Sequence, residues 1–321
     1  TEDAGQSGGD GADKSLSSVA TPPYCVLMAV SYVTAAGGML LLAQALIRRG
    51  QTGDRLYALK LVRTTNRTSD LIVESGTTPT EHGVRSAFGS MLADADARGL
   101  AVKPISFVSS QPANDICSVA DMKGADLIVL GWHRPLLNRA ALGGTVNEVL
   151  EQGKTDVGVL VDRGLSRLRR VLVPYHGTSD DQGALAIAHR LYEQGDVDVT
   201  ILHVVPPGRG DGDPRTGVTQ QVQALFAGPE SDARQHMKVV EHAEPAEAAL
   251  AEIDSARGAA SAQSPPADGS PGAYDLVIIG VGRDWGLKQR QFGINQEYFI
   301  RRCQASLLIV HKYVAGAAAR A

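Results

Sequence analysis

The strongest candidate binding residues of this chain lie in one stretch, residues 125–161. There an apolar run is followed by glycines, basic side chains and a hydroxyl. Glycine lets the backbone approach a phosphate closely, a helix start offers unpaired N–H groups, and a threonine hydroxyl adds a donor. The stretch therefore predicts an anion-binding loop between a strand and a helix, called here the first glycine loop; plain N-capping by Thr145 is the alternative. Its candidate binding residues are Gly131, His133, Arg134, Gly144, Thr145 and Val146.

A second stretch, residues 274–310, repeats the first with one constant offset and no gap. Asp275 corresponds to Asp126 and Gly280 to Gly131, and the apolar run 170–175 parallels 25–30 upstream. The chain therefore consists of two tandem repeats. This second glycine loop lacks the hydroxyl and is predicted to be a weaker anion site, with Gly280, Gly282, Arg283 and Gly293 as its candidate residues.

Composition excludes several classes of function. The net charge is −4 and 43% of the residues are hydrophobic, which gives no basic surface for nucleic acid and indicates a globular protein. The three cysteines are scattered, without the spacing of a metal site, so they indicate buried thiols in a reducing compartment. Neither a bound metal nor a nucleic-acid partner is expected.

One uncharged stretch, residues 15–47, is long enough to resemble a membrane span. Its Ser, Thr and Gly residues at 31–38 suit a turn, and residues 26–30 align with a strand of the second repeat. The stretch is therefore predicted to be a buried strand followed by a buried helix. No basic segment precedes it, which argues against a signal peptide.

The rest of each repeat alternates apolar runs with helical patterns, which predicts an α/β fold with parallel sheets and helices on both faces. Pro104 is expected to interrupt the third strand. The predicted strands are 25–30, 56–62, 102–108, 127–130, 157–161, 170–175, 197–205 and 237–241, with helices at 35–49, 81–98, 114–122, 182–194, 218–226 and 245–256. The predicted division is a flexible leader at 1–23, a first domain at 24–163, a connector at 164–169, a second domain at 170–313 with loops at 206–234 and 257–272, and a tail at 314–321.

Other polar residues lie where strands are predicted to end. Ala29 and Ser31 follow the first strand, and ligands of open α/β sheets bind beyond such carboxyl ends, so both join the candidate site; simple turn residues are the alternative. His176, with Asp180 and Asp181, could suggest catalysis or a metal. Helix capping by the two acids is the favoured interpretation because no second close histidine or cysteine accompanies them.

With both copies in view, each repeat resembles a universal stress protein domain, a Rossmann-like fold of the adenine nucleotide alpha hydrolase type. ATP-binding members carry Gly-x2-Gly-x9-Gly-[Ser/Thr] after the fourth strand. That pattern maps onto Gly131, Arg134, Gly144 and Thr145 in the first repeat and onto Gly280, Arg283, Gly293 and Ile294 in the second. The family's acidic residue after the first strand is replaced by Ser31 and His176. Both copies therefore depart from the ATP-binding pattern. The resemblance implies an adenine nucleotide ligand, namely AMP, ATP or a cyclic nucleotide.

The tandem order of two degenerate repeats, with GWHRP and LGGTV in the first and YDLVIIGVGRDWG in the second, resembles the C-terminal region of cation:proton antiporters. These include bacterial Kef-type and plant cation/H+ exchangers. The resemblance implies a non-enzymatic regulatory module on the cytoplasmic side, attached to the cell membrane through a transport domain of the same polypeptide, and a homodimer. A stand-alone tandem stress protein that binds ATP, and a degenerate scaffold that binds nothing, remain alternatives.

Overall fold

The computed structural model describes the chain in ten segments. These are residues 22–31, 36–47, 53–63, 87–132, 144–194, 197–207, 214–226, 234–262, 273–281 and 296–314. Most of the predicted leader and tail lie outside them. Statements about the structure below concern the described residues.

The described strands all belong to one sheet. They are β1 (Cys25–Ala29), β2 (Arg55–Arg63), β3 (Val102–Ser109), β4 (Leu127–Gly131), β5 (Asp156–Val161), β6 (Arg170–Tyr175), β7 (Asp198–Val205), β8 (Gln235–Glu241), β9 (Leu276–Val281) and β10 (Ser306–His311).

Helices separate most of these strands. They are α1 (Gly37–Leu46), α2 (Ser90–Ala97), α3 (Pro112–Lys123), α4 (Gly144–Gln152), α5 (Asp181–Gln194), α6 (Pro214–Phe226), α7 (Pro245–Ala262) and α8 (Gln296–Arg302). The alternation of apolar runs and helical patterns predicted this order.

The sheet has ten strands in the order β3-β2-β1-β4-β5-β10-β9-β6-β7-β8. All pairs within a repeat are parallel, whereas β5 and β10 pair antiparallel, with Leu308 opposite Leu160. The order of the second repeat is therefore that of the first, reversed across this central pair. The two repeats thus form a pseudo-dimer within one sheet.

Helices of both repeats cover each face of the sheet, and two apolar layers result. One layer joins α1 and α2 to α5 and α6, and the other joins α3 and α4 to α7 and α8. The sheet lies buried between them, which explains why its central strands are continuous apolar runs rather than alternating ones.

An aspartate anchors the fourth strand of each repeat to the first. Asp126 precedes β4 and its Oδ2 accepts a hydrogen bond from the Cys25 N–H at 2.7 Å. Asp275 precedes β9 in the same way and accepts from the N–H groups of Arg169 and Arg170 at 2.9 and 3.0 Å. The same contact at corresponding positions supports a common origin of the repeats.

One arginine connects helices of the two repeats within the layer that contains α1 and α5. The Arg190 Nε of α5 donates to the Leu46 carbonyl oxygen at 2.7 Å, and its Nη2 lies 3.1 Å from Asp54 Oδ2. Its guanidinium stacks 3.8 Å from the centre of the Tyr24 ring. These contacts fix the end of α1 against the second repeat.

Two details of the sequence interpretation are wrong. Pro104 does not interrupt β3. Among the described residues β3 is a terminal strand of the sheet and pairs only with β2, so a missing N–H is tolerated. Residues 257–262 were assigned to a loop, yet α7 continues to Ala262. Alanine, the best helix former, is frequent there and outweighs one glycine.

The uncharged stretch forms β1 and α1, as predicted, and both are buried. Among the described residues no helix is both long and apolar enough to cross a membrane.

Candidate functional site

The predicted site residues of the first repeat lie at the carboxyl ends of two neighbouring strands. Ala29 ends β1 and pairs with Leu130, the residue before Gly131 at the end of β4. The chain leaves β1 towards α1 in one layer and leaves β4 towards α4 in the other. Such a switch point opens a crevice, which is the usual ligand position in an open parallel sheet.

Thr145 borders an open cleft of about 630 Å³ between the starts of α3 and α4. Gly144, the first residue of α4, is exposed, whereas Thr145 and Val146 are half-buried, and Val146 packs against the apolar layer below. The Thr145 side chain therefore stands where the α4 N–H groups begin. Ser31 is exposed just beyond β1.

The cleft has a polar lining that sequence reasoning missed. Its other residues are Ser109, Ser110, Gln111, Pro112, Asn114, Glu148 and Gln152. The Ser109 hydroxyl donates to Asp115 Oδ2 at 2.5 Å and accepts from the Gln111 N–H at 3.1 Å, which fixes the turn from β3 into α3. The position of this turn beyond a strand end was the available signal. Hydroxyls, amides and one carboxylate can bind the hydroxyl groups of a ligand.

Several predicted residues lie outside the described part of the chain. They are His133 and Arg134 in the first repeat and Gly282, Arg283 and Gly293 in the second. Their predicted roles stay predictions.

The corresponding place in the second repeat is covered by the chain itself. Gly280, near the end of β9, is buried, and a side chain there would collide with the Asp180 carbonyl oxygen and lie 2.7 Å from Asp181 Cα. Glycine at this position thus admits the turn before α5 rather than a phosphate. The end of β4 is half-buried at Gly131, whereas the corresponding end of β9 is buried at Gly280.

Asp181 holds this turn in place. It is fully buried, and its Oδ2 accepts hydrogen bonds from the His176 N–H at 3.0 Å, the Thr178 N–H at 3.1 Å and the Thr178 hydroxyl at 2.9 Å. The carboxylate therefore binds the turn that precedes α5, where the sequence predicted a cap of the helix. Among the described residues no group of three or more His, Cys, Asp or Glu side chains could hold a metal ion.

The cysteines are unsuited to nucleophilic chemistry. All three are free thiols, and Cys25 and Cys303 are buried. Burial raises the pKa of the Cys303 thiol to about 11 and also raises the pKa of Cys25 and Cys117. The reactive thiolate is therefore disfavoured at neutral pH.

Comparison with known proteins identifies relatives of two kinds. Residues 26–160 and 167–311 each match the family described as "Universal stress protein family". The chain is also similar to two antiporters of Arabidopsis thaliana. It is 28% identical to Cation/H(+) antiporter 15 over 180 residues, 47% of this chain and 22% of the relative, and 27% identical to Cation/H(+) antiporter 21 over 216 residues, 57% and 26%. The chain thus spans about a quarter of the length of these relatives.

Solved structures share the fold. A universal stress protein from Archaeoglobus fulgidus DSM 4304 matches with a TM-score of 0.55 and 15% identity, covering 90% of this chain and 98% of the other. A functionally unknown protein from Pseudomonas aeruginosa PAO1 matches with a TM-score of 0.51 and 13% identity, covering 90% and 93%. The two family matches together span most of the chain, and the sheet has the same strand order in both repeats. The chain therefore belongs to the universal stress protein family, as two Rossmann-like domains in tandem.

Proposed function

We propose that this chain is the cytoplasmic regulatory module of a monovalent cation:proton antiporter and that its first repeat binds an adenine nucleotide. The module performs no catalysis itself. The transport domain belongs to the same polypeptide, and the module works as a homodimer. The observation that carries the nucleotide claim is the open cleft that Thr145 borders at the start of α4. In the second repeat, the end of β9 at Gly280 is covered by the turn before α5.

Different polar groups of the first repeat suit different parts of a nucleotide. Thr145 and the first N–H groups of α4 would bind a phosphate. Glu148 lies one helical turn further along and also lines the cleft, where its carboxylate would repel phosphate and accept hydrogen bonds from ribose hydroxyls. A ligand with few phosphates, such as AMP or a cyclic nucleotide, therefore suits this arrangement better than ATP.

Regulation would follow from the contact between the repeats. The loop of the first repeat that would bind the phosphate connects β4 to α4, and β4 pairs with β5, which forms the central pair with β10. A nucleotide that binds one arrangement of this sheet more tightly than another would shift the module between them. A transport domain attached to the module would sense that shift.

A scaffold whose sites have both decayed is the second candidate, and the covered Gly280 favours it for the second repeat. Thermal unfolding with and without nucleotide separates the two candidates. A ligand that binds only the folded chain raises the midpoint of thermal unfolding. At a ligand concentration of one hundred times the Kd, it stabilises the folded chain by about 2.7 kcal/mol. The scaffold predicts no change with AMP, ATP or cyclic AMP.

The antiporter claim has its own test. The reading frame upstream of residue 1 should encode a series of apolar membrane spans fused to this chain. Cation flux through the complete protein in proteoliposomes should then respond to the nucleotide that raises the midpoint. An upstream stop codon, or flux that ignores the nucleotide, contradicts the regulatory role.

A further inference from the structure

The turn between β6 and α5, residues 176–181, covers the carboxyl end of β9 in the second repeat. Its Asp180 carbonyl oxygen lies against Gly280 at the carboxyl end of β9. Asp181 holds the turn through the three hydrogen bonds to its Oδ2. The turn therefore covers the end of β9, and the Asp181 carboxylate holds it in this position through hydrogen bonds.

The hydrogen bonding of the Asp181 carboxylate is incomplete. Asp181 Oδ1 is buried and has no hydrogen-bond partner among the described residues. A buried acceptor without a partner costs free energy that an open, hydrated turn would recover. The unpartnered oxygen therefore offsets part of the stabilisation that the three hydrogen bonds to Oδ2 provide.

Titratable groups lie near the turn on three described strands, β6, β7 and β10. Tyr175 ends β6 and is fully buried; His176 follows it; His203 of β7 is buried, with its Nδ1 2.9 Å from the Tyr175 carbonyl oxygen. On β10, the Nδ1 of buried His311 lies 3.1 Å from the Val281 carbonyl oxygen of β9. Asp180 and Asp181 supply the carboxylates from α5 and the turn.

We propose that this turn is a proton-sensitive latch, which covers the carboxyl end of β9 near neutral pH and opens when His176 takes up a proton. The charged imidazole gains hydration by leaving the closed turn. Opening withdraws the Asp180 carbonyl from Gly280 and exposes the strand end. The latch makes the second repeat a proton sensor, independently of any nucleotide in the first.

The direction of the effect follows from burial. Burial lowers the pKa of His176; the Asp181 carboxylate works in the opposite direction and is outweighed, while His203 adds to the lowering. The closed turn thus binds a proton less readily than the open one. The free energy of opening should fall as the pH drops through about 6.5, the ordinary value for histidine. It becomes constant again below the pKa of the closed form.

The first repeat lacks this device. Ser31 stands in place of His176, and Ala36 stands in place of Asp181. Neither residue titrates. Any pH response of the latch type is therefore confined to the second repeat.

Amide hydrogen exchange measured by NMR on the whole chain tests the proposal. After correction for intrinsic exchange, protection of the His176 and Thr178 amides should fall between pH about 7.5 and 5.5, by up to about tenfold per pH unit. The amide of Ile201, in the centre of β7, should keep its protection. Flat protection at His176 and Thr178, or a parallel loss at Ile201, would overturn the latch.

Three variants sharpen the test. His176→Gln stays neutral and should remain protected at every pH, whereas the matched variant His236→Gln, an exposed histidine on β8, should behave like the wild type. Gly280→Ala places a methyl group against the Asp180 carbonyl and should lower protection of the turn at every pH. An unchanged pH dependence in His176→Gln would also overturn the proposal.

Discussion

At the scale of single residues, Arg190 shows how one side chain can connect two repeats. Its guanidinium contacts the Leu46 carbonyl, the Asp54 carboxylate and the Tyr24 ring, all in the first repeat. The Asp54 side chain is 2% exposed and that of Arg190 12%. A charge pair this buried cannot lose one partner without leaving the other in a poorly hydrated position.

Arg190→Ala should therefore lower the free energy of unfolding by about 3 kcal/mol. Urea denaturation of the whole chain measures it. The matched control is Arg167→Ala, because the Arg167 side chain is 68% exposed and its pair with Asp275 is worth less than about 1 kcal/mol. Equal losses in the two variants would contradict the importance of burial here.

The sequence predicted Gly131, Gly144 and Thr145 as site residues because glycine and helix-start patterns are local. It could not identify Arg190 or its partner Asp54, which are 136 residues apart in the chain. His176 and Asp181 were noticed together, but the cover over Gly280 depends on β9, a distant strand. Contacts between distant segments leave no spacing signal in a single sequence.

At the scale of elements, the anchoring aspartates set where the fourth strand of each repeat begins. Asp126 accepts from the Cys25 N–H. Asp275 is more heavily engaged, since it accepts from the Arg169 and Arg170 N–H groups and from Arg167 Nε at 2.9 Å. Removing either carboxylate leaves N–H groups at a strand start without their acceptor.

Asp275→Ala should destabilise the chain more than Asp126→Ala, because it removes more hydrogen bonds. A buried donor that is left without its acceptor costs about 1–3 kcal/mol. Thermal unfolding of both variants gives the comparison. Asn at either position keeps an acceptor oxygen and should restore part of the loss. The reverse order of the two alanine variants would be inconsistent with this role.

Most elements could be predicted because apolar runs and helical patterns alternate with a clear period, as in β6 and α5. The pattern failed at Pro104, where the consequence of proline depends on whether a strand is terminal or central. It also failed at the end of α7, where a loop-like composition of Ala, Ser and Gly forms a helix. Both failures concern information that only neighbouring elements supply.

At the scale of the whole molecule, the central pair β5–β10 makes one sheet of two repeats. Val157, Val159 and Val161 of β5 are buried, and β10 supplies the hydrogen-bond partners along the edge of β5. An isolated first repeat would expose this edge. Edges of this kind pair with another chain when they are left open.

The first repeat produced alone, as residues 22–165, should therefore associate through β5, with a second copy taking the place of β10. Light scattering after size-exclusion chromatography measures its mass. A stable monomer at high concentration would show that the central pair is dispensable.

We propose that one repeat of the two binds an adenine nucleotide. Isothermal titration calorimetry of the whole chain with AMP, ATP and cyclic AMP tests it most directly. We expect one binding site per chain, lost in Thr145→Ala and retained in the matched surface variant Ser166→Ala. Absence of heat with every nucleotide, or binding that survives Thr145→Ala unchanged, would contradict it.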